Sequence, residues 1–279
     1  MFVVFSGQGS QKMHMGRLFA DNERVISYIK QASKIVNMDI MHLVMDATSN
    51  ELNLTQNAQL AIFVMSYALF KLVEPMLGPI HAMAGHSLGE YTALAAAGII
   101  SFEDACMFIK ERSFLMQQVS GKMLAVLGMD KAKLNLAASL VSNKEKGEEC
   151  YIANINSSTQ IVLSGNEKAI DRAHSVIAAI GGRSVVLPVS GPFHSPYMQD
   201  ACQKLEGVID RLDISIAHDR CIQVFSNVTS YPEHDWKKII KVHMSSPVLW
   251  AETLANMSVR YPSEEFIEIG ATSLLTSMA

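Results

Sequence analysis

Residues Gly85-His86-Ser87-Leu88-Gly89, inside the run AMAGHSLGEYTALAAAG, constrain this chain more than any other stretch. Ala82, Met83 and Ala84 suit a short buried strand. Glu90 to Ala97 is a run of strong helix formers. Between them, Gly-x-Ser-x-Gly is the pattern of a sharp strand-to-helix turn that presents a serine at its tip. Such a turn needs glycines because its backbone is strained and closely packed. Ser87 would then sit at a helix N-terminus, where free N–H groups stabilise negative charge. A Gly/Ser turn without chemistry satisfies the same five letters. The strand and helix on either side favour a reactive serine.

The 279 residues are 49% hydrophobic and 18% charged, enough for a large core, in one domain or in a big and a small one. The net charge of −4 gives no basic excess for nucleic acid, so an anionic partner must meet a local patch. Cys106, Cys150, Cys202 and Cys221 are widely separated and show no metal or redox spacing. They read as reduced thiols of a cytoplasmic protein. The start, MFVVFSGQGSQ, lacks the basic and long apolar segments of a signal peptide, and no uninterrupted apolar run spans a membrane. The 17 methionines suit core filling.

Phe2 to Phe5 reads as a buried strand entering the loop Ser6-Gly7-Gln8-Gly9-Ser10-Gln11. Helical patterns cover Arg17–Val36 and Ala58–Val73, the latter stopped by Pro75. After the elbow, Ser101 begins a capping box for a helix to about Val119. This alternation fits a parallel α/β sheet. The pattern then changes to strand Met123–Met129, helix Lys131–Val141, strands Glu149–Asn156 and Gln160–Leu163, helix Glu167–Ile180 and strand Ser184–Val189. That βαββαβ order is ferredoxin-like and predicts a small domain at 123–190, inserted in a large one formed by 1–122 and 191–279. Helix Tyr197–Leu212, strand Ile222–Ser226, helical stretches Trp236–Met244 and Pro247–Met257, and strand Glu265–Ile269 follow.

A serine nucleophile needs a base. Among nine histidines, His194 stands out, in the rigid loop Val189-Ser190-Gly191-Pro192-Phe193-His194-Ser195-Pro196 between a strand and a helix. An ordinary solvated loop histidine is the plain alternative. His86 adjoins Ser87 but faces another direction, His81, His174 and His218 lie in less distinctive places, and no histidine spacing suits a metal. Arg112 shares a helix face with Phe108, Ile109, Leu115 and Met116. A charge inside an apolar stripe must be paired. Either it snorkels or meets an internal carboxylate, or it awaits the carboxylate of a ligand.

FSGQGSQ, GHSLGEYTAL, Arg112 in the following helix, NINSSTQIVLSG, VSGPFHSP and PVLW together resemble the malonyl-CoA:acyl carrier protein transacylase family, which includes free-standing polyketide synthase acyltransferases. The resemblance runs in order over nearly the whole chain. It implies an α/β fold, with an α/β-hydrolase-like large domain and an inserted ferredoxin-like small one. It implies a Ser87 nucleophile, a His194 base, and Arg112 as the malonate-binding arginine. It implies an oxyanion hole from the backbone N–H groups of Leu88 and Gln8. Gln59 matches a glutamine of the substrate cleft, although Leu60 replaces the proline that commonly follows. Phe193, before the base, resembles the malonyl-specific pattern. The imidazole is oriented by a backbone carbonyl before the proline of PVLW, in a segment where His243 stands in place of the usual glutamine. After the last strand, Gly270-Ala271-Thr272 stands where Gly-Pro-Gly is usual.

The implied reaction moves a malonyl group from malonyl-CoA to the phosphopantetheine thiol of an acyl carrier protein, for fatty-acid or polyketide synthesis. It needs no cofactor and no metal, and the expected enzyme is a cytoplasmic monomer without nucleic-acid or membrane partners. An acyl hydrolase on the same fold, or a non-catalytic homologue that only docks carrier proteins, are the alternatives. Lys237, Lys238 and Lys241, with Lys110 and Arg183 nearby, form a candidate docking patch for an acidic carrier protein, and a solvated helix face is the plain reading of the same lysines.

Overall fold

A computed structural model describes residues 1–214, 222–262 and 264–276. Its strands are β1 (Phe2–Phe5), β2 (Ala82–Gly85), β3 (Lys122–Leu127), β4 (Cys150–Ser157), β5 (Gln160–Gly165), β6 (Arg183–Val186), β7 (Gln223–Phe225) and β8 (Phe266–Ile269). Its helices are α1 (Glu23–Val36), α2 (Ile40–Met45), α3 (Ser49–Leu52), α4 (Thr55–Val73), α5 (Leu88–Ala96), α6 (Phe102–Gln117), α7 (Lys131–Val141), α8 (Glu167–Ala179), α9 (Gln199–Arg211), α10 (Trp236–His243) and α11 (Trp250–Arg260). Cys221 and His218 lie outside the described residues.

Two sheets form. The first is parallel, in the order β7-β2-β1-β8. β1 and β2 are buried at every position, as expected for central parallel strands covered on both faces. The second is antiparallel, in the order β4-β5-β3-β6, with α7 and α8 packed on it. Leu124, Val126, Leu134, Ile161, Leu163 and Ile170 form its own core cluster. This is the βαββαβ arrangement, drawn from 122–186.

The apolar helix α4 is long enough by composition to cross a membrane. It packs instead against α1, α5 and α6, with Leu60, Phe63, Val64 and Phe70 buried.

Two helix readings need correction. Arg17–Val36 is not continuous: a 3-10 turn at Arg17–Phe19 precedes α1. Asn22 starts the helix afresh, its side chain accepting from the Val25 N–H at 3.1 Å. The helix expected from Pro247 begins only at Trp250. Val248 is held extended against β4, giving its N–H to Ala153 O (2.8 Å) and accepting from Ile155 N–H (2.9 Å). That bridge ties the two sheets' territories together next to the site.

Candidate active site

Ser87 occupies the tip of the turn from β2 into α5, with φ 51° and ψ −105°. A non-glycine residue held there is strained, and the surroundings must impose it. They do so by close packing. A Cβ on Gly85 would lie 1.9 Å from the Gly89 carbonyl carbon, and one on Gly89 would lie 2.1 Å from Phe5 O. Only hydrogen fits at either position, which explains both glycines of the motif.

Ser87 Oγ lies 2.7 Å from His194 Nε2. His194 is buried and also has a positive φ, 58°. Its Nδ1 faces two carbonyl oxygens, His243 O at 3.2 Å and Ser246 O at 3.1 Å. Carbonyls only accept, so Nδ1 carries the proton and the Nε2 lone pair points at the serine. The His194 N–H donates to Met244 O at 2.9 Å. The 243–246 segment therefore holds this histidine by both ring and backbone. Burial, then the nearby Arg112 charge, push its pKa down to about 3, so the imidazole is neutral and able to accept a proton.

Arg112 is fully buried in α6. Nη1 donates to Gln59 Oε1 at 2.5 Å, and Nη2 lies 3.4 Å from Ser87 Oγ. The guanidinium carbon sits 5.1 Å from the centre of the Tyr91 ring. Nε has no hydrogen-bond partner, and among the described residues no carboxylate forms an ion pair with it. Of the two resolutions open for Arg112, the internal ion pair is thus missing, and a dipole and a ring face stand in for it. Gln59 donates in turn to Gln8 Oε1 at 3.2 Å, which brings the GQGSQ loop into the same network.

Among the described residues the Leu88 N–H, at the first position of α5, has no acceptor. Ser87 N–H goes to Asn227, and the N–H groups of Gly89 and Glu90 turn back onto His86 O and Ser87 O. The loop residue Gly7, which precedes Gln8, rests directly on the His86 carbonyl. The loop that carries Gln8 therefore packs against the elbow.

Ser87, His194, Arg112, Gln59, Gln8 and Leu88 come together. Phe193 directly precedes His194 and is buried, as His194, Gln59 and Arg112 are. It is 4% exposed, packed over Gly191 in the principal core. The His243 side chain is likewise buried, edge-on to Tyr91 and His194, and it is the His243 carbonyl that reaches the base. His86 points to β4, 2.8 Å from Asn156 Oδ1. A cleft of about 330 Å³ opens beside His194, lined by Tyr151, Ile155, Pro196, Pro247 and Leu249, with Lys131 at its edge.

Acids stand beside the lysines of the candidate docking patch. Lys241 pairs with Asp210 at 2.8 Å, and Lys237 donates to the Asp210 carbonyl at 2.9 Å. Glu206 and Asp235 line the same hollow. The sequence spacing shows the lysines of α10 but not the acids that α9 brings opposite them.

Sequence reading missed Asn227. Its Oδ1 accepts the Ser87 N–H at 2.7 Å and its Nδ2 donates to Gly85 O at 2.8 Å. A single asparagine after a short strand carries no signal of that role. Glu90, a lone acid in the helix-forming run after the elbow, accepts the Asn227 N–H at 2.5 Å.

The acyl transferase domain family matches residues 2–279. The chain is 35% identical over 285 residues to a malonyl CoA-acyl carrier protein transacylase of Bacillus subtilis, covering 99% of this chain and 88% of that one. It is 38% identical over 281 residues to the polyketide biosynthesis protein ThaF of Burkholderia thailandensis, covering 99% of this chain but 23% of that longer protein. Its fold superposes with a TM-score of 0.92, at 30% identity and covering 99% and 91% of the two chains, on a malonyl-transacylase solved in complex with its type II polyketide synthase acyl-carrier protein.

Proposed function

The chain belongs to the acyl transferase domain family, and we propose that it transfers a malonyl group from malonyl-CoA to an acyl carrier protein through an acyl-enzyme on Ser87. One observation carries the choice of acyl group: Arg112, a buried charge without a carboxylate partner, stands 3.4 Å from the Ser87 hydroxyl. A malonyl thioester attacked by Ser87 would bring its free carboxylate to that guanidinium, where a planar fork binds two oxygens.

The proposed reaction has two half-reactions. His194 Nε2 takes the Ser87 proton as Oγ attacks the thioester carbonyl. The Leu88 and Gln8 N–H groups hold the oxyanion, each worth roughly 3–4 kcal/mol in comparable sites. The carbon–sulfur bond breaks, the imidazolium returns its proton to the thiolate, and coenzyme A leaves. The carrier protein's phosphopantetheine thiol then gives its proton to His194 and attacks the acyl-serine; the carbon–Oγ bond breaks, the imidazolium returns the proton to Ser87 Oγ, and the malonyl thioester leaves. Gln59 keeps Arg112 aimed. The proposed enzyme takes no cofactor and is a monomer. Its substrates make it a cytoplasmic enzyme.

Intact-mass measurement after mixing with malonyl-CoA tests the reading. One malonyl group is expected on the parent protein and none on Ser87→Ala. Labelling that survives in Ser87→Ala would overturn the assignment.

A further inference from the structure

The mechanism leaves a buried acid unused. Glu90 lies in the first turn of α5 and is fully buried, as is the His243 side chain. Glu90 Oε2 accepts the Asn227 N–H at 2.5 Å. The Asn227 side chain in turn clamps both ends of the elbow, at Ser87 N–H and Gly85 O. Glu90 Oε1 faces His243 Nε2 at 3.6 Å, and neither atom has a hydrogen-bond partner among the described residues. His243 belongs to the segment whose carbonyls, His243 O and Ser246 O, take the Nδ1 proton of His194. One carboxyl thus touches two structures that must stay in register: the turn that aims the nucleophile, and the segment that aims the base.

An acid is an expensive choice at this place. All of α5 is buried and, apart from the Tyr91 and Thr92 hydroxyls, its other side chains are apolar, so packing alone would be served by another aliphatic side chain. Two orphaned buried groups that face each other are each other's natural partners, since leaving either unsatisfied is costly. The carboxyl O–H can donate to the imidazole lone pair after a small approach. Burial raises the Glu90 pKa to about 8, against the opposing Asn227 N–H and Arg112, so the proton is available at neutral pH.

We propose that Glu90 is a positioning residue for acyl transfer, fixing the Ser87 elbow through Asn227 and the His194-orienting segment through His243. This rests on the reading of Ser87 and His194 as nucleophile and base.

The test compares Glu90→Leu, Glu90→Gln, His243→Leu and the Glu90→Leu/His243→Leu double variant. Each is checked for native fold by circular dichroism. Two rates are read: malonyl transfer, resolved into kcat and KM, and first-order labelling of Ser87 by a fluorophosphonate. The labelling reports nucleophile and base without any acyl substrate. Glu90→Leu is expected to lower kcat and labelling about tenfold or more, with KM for malonyl-CoA within about twofold. Glu90→Gln, which can accept from Asn227 and donate to His243, should recover both rates to within about threefold. The double variant should be no slower than Glu90→Leu, because both changes break the same chain of interactions. A folded Glu90→Leu with parent kcat and labelling overturns the proposal. So does a loss confined to KM, a Glu90→Gln as slow as Glu90→Leu, or additive losses in the double variant. If Glu90→Leu does not fold, His243→Leu decides, and parent rates there overturn the link to the base. Fluorophosphonate labelling of a parent protein that takes no malonyl group would instead refute the malonyl reading and leave the positioning result intact.

Discussion

Arg112 reaches to within 3.4 Å of the Ser87 hydroxyl while its other terminal nitrogen is tied to Gln59. The guanidinium is thus held still, with its charge directed at the place where an acyl group would sit. Arg112→Ala should therefore lose malonyl transfer by about 3 kcal/mol or more, the scale of a charge-assisted hydrogen bond in a closed site. Acetyl transfer, which offers no carboxylate, should fall much less. Measuring kcat/KM for both CoA esters decides this. Equal losses would mean that Arg112 only supports the packing around Tyr91.

Buried histidines and a buried acid set opposite pH trends in stability. Burial lowers the pKa of His86 and His194, and takes His243 well below its ordinary 6.5. As pH falls below 6.5, the unfolded chain gains protons that these folded imidazoles refuse, so stability is lost toward acid. Glu90 acts in reverse. Its folded pKa is raised from 4.5 to about 8, so its contribution is present below 4.5 and is lost as pH rises toward 8. Between 4.5 and 6.5 the lowered imidazoles and the raised carboxyl act in opposite directions; above 6.5 the carboxyl remains, joined by His42, whose pKa its Glu51 partner raises. The thermal midpoint should decline from pH 6.5 toward 8. Glu90→Gln should lessen that decline. A parent midpoint that keeps climbing to pH 8 would refute the assignment.

Much of the fold and site is legible locally in the sequence. The Gly85–Gly89 pattern between an apolar triplet and a helix-forming run specifies the elbow, because no other residues fit its close packing. Ser101 caps α6, accepting the Asp104 N–H at 2.9 Å. The βαββαβ order of 122–186 emerges from alternating periods. What stays hidden depends on chain partners far apart. Asn227 is 140 residues from the Ser87 N–H it accepts. The 247–249 segment reads as the start of a helix until β4 is laid beside it. The lysines of α10 look unopposed until α9 supplies Asp210.

Phe193 illustrates how burial changes a specificity experiment. The parent protein should prefer malonyl-CoA over methylmalonyl-CoA by about 1–3 kcal/mol, the usual scale for one added methyl in a tight site. Phe193→Ser is a poor probe of that preference alone, since the ring is 4% exposed and packed in the principal core. Its removal should cost about 3–5 kcal/mol of stability. Phe193→Leu should retain more of the fold and separate the two effects. Competition between the two esters, read by mass on Ser87, together with thermal melting of each variant, tests both parts. A Phe193→Ser variant that melts with the parent would show that the ring contributes little to the core.

The lysines of α10 are the best docking patch in the sequence for an acidic carrier protein, and their surroundings in the fold predict a weak effect. Lys241 is committed to the Asp210 carboxylate and Lys237 to the Asp210 carbonyl. Glu206 and Asp235 share the hollow with them, so its field is nearly balanced. Exposed pairs of this kind are worth about 0–1 kcal/mol, and salt screens them further. Reversing Lys237 and Lys238 to Glu should then raise KM for the carrier protein by less than about threefold at low salt, a change under about 1 kcal/mol. Self-malonylation by malonyl-CoA should be untouched, because neither lysine approaches Ser87. A tenfold or greater rise in KM that disappears at high salt would restore this face as the carrier-protein dock despite its acids.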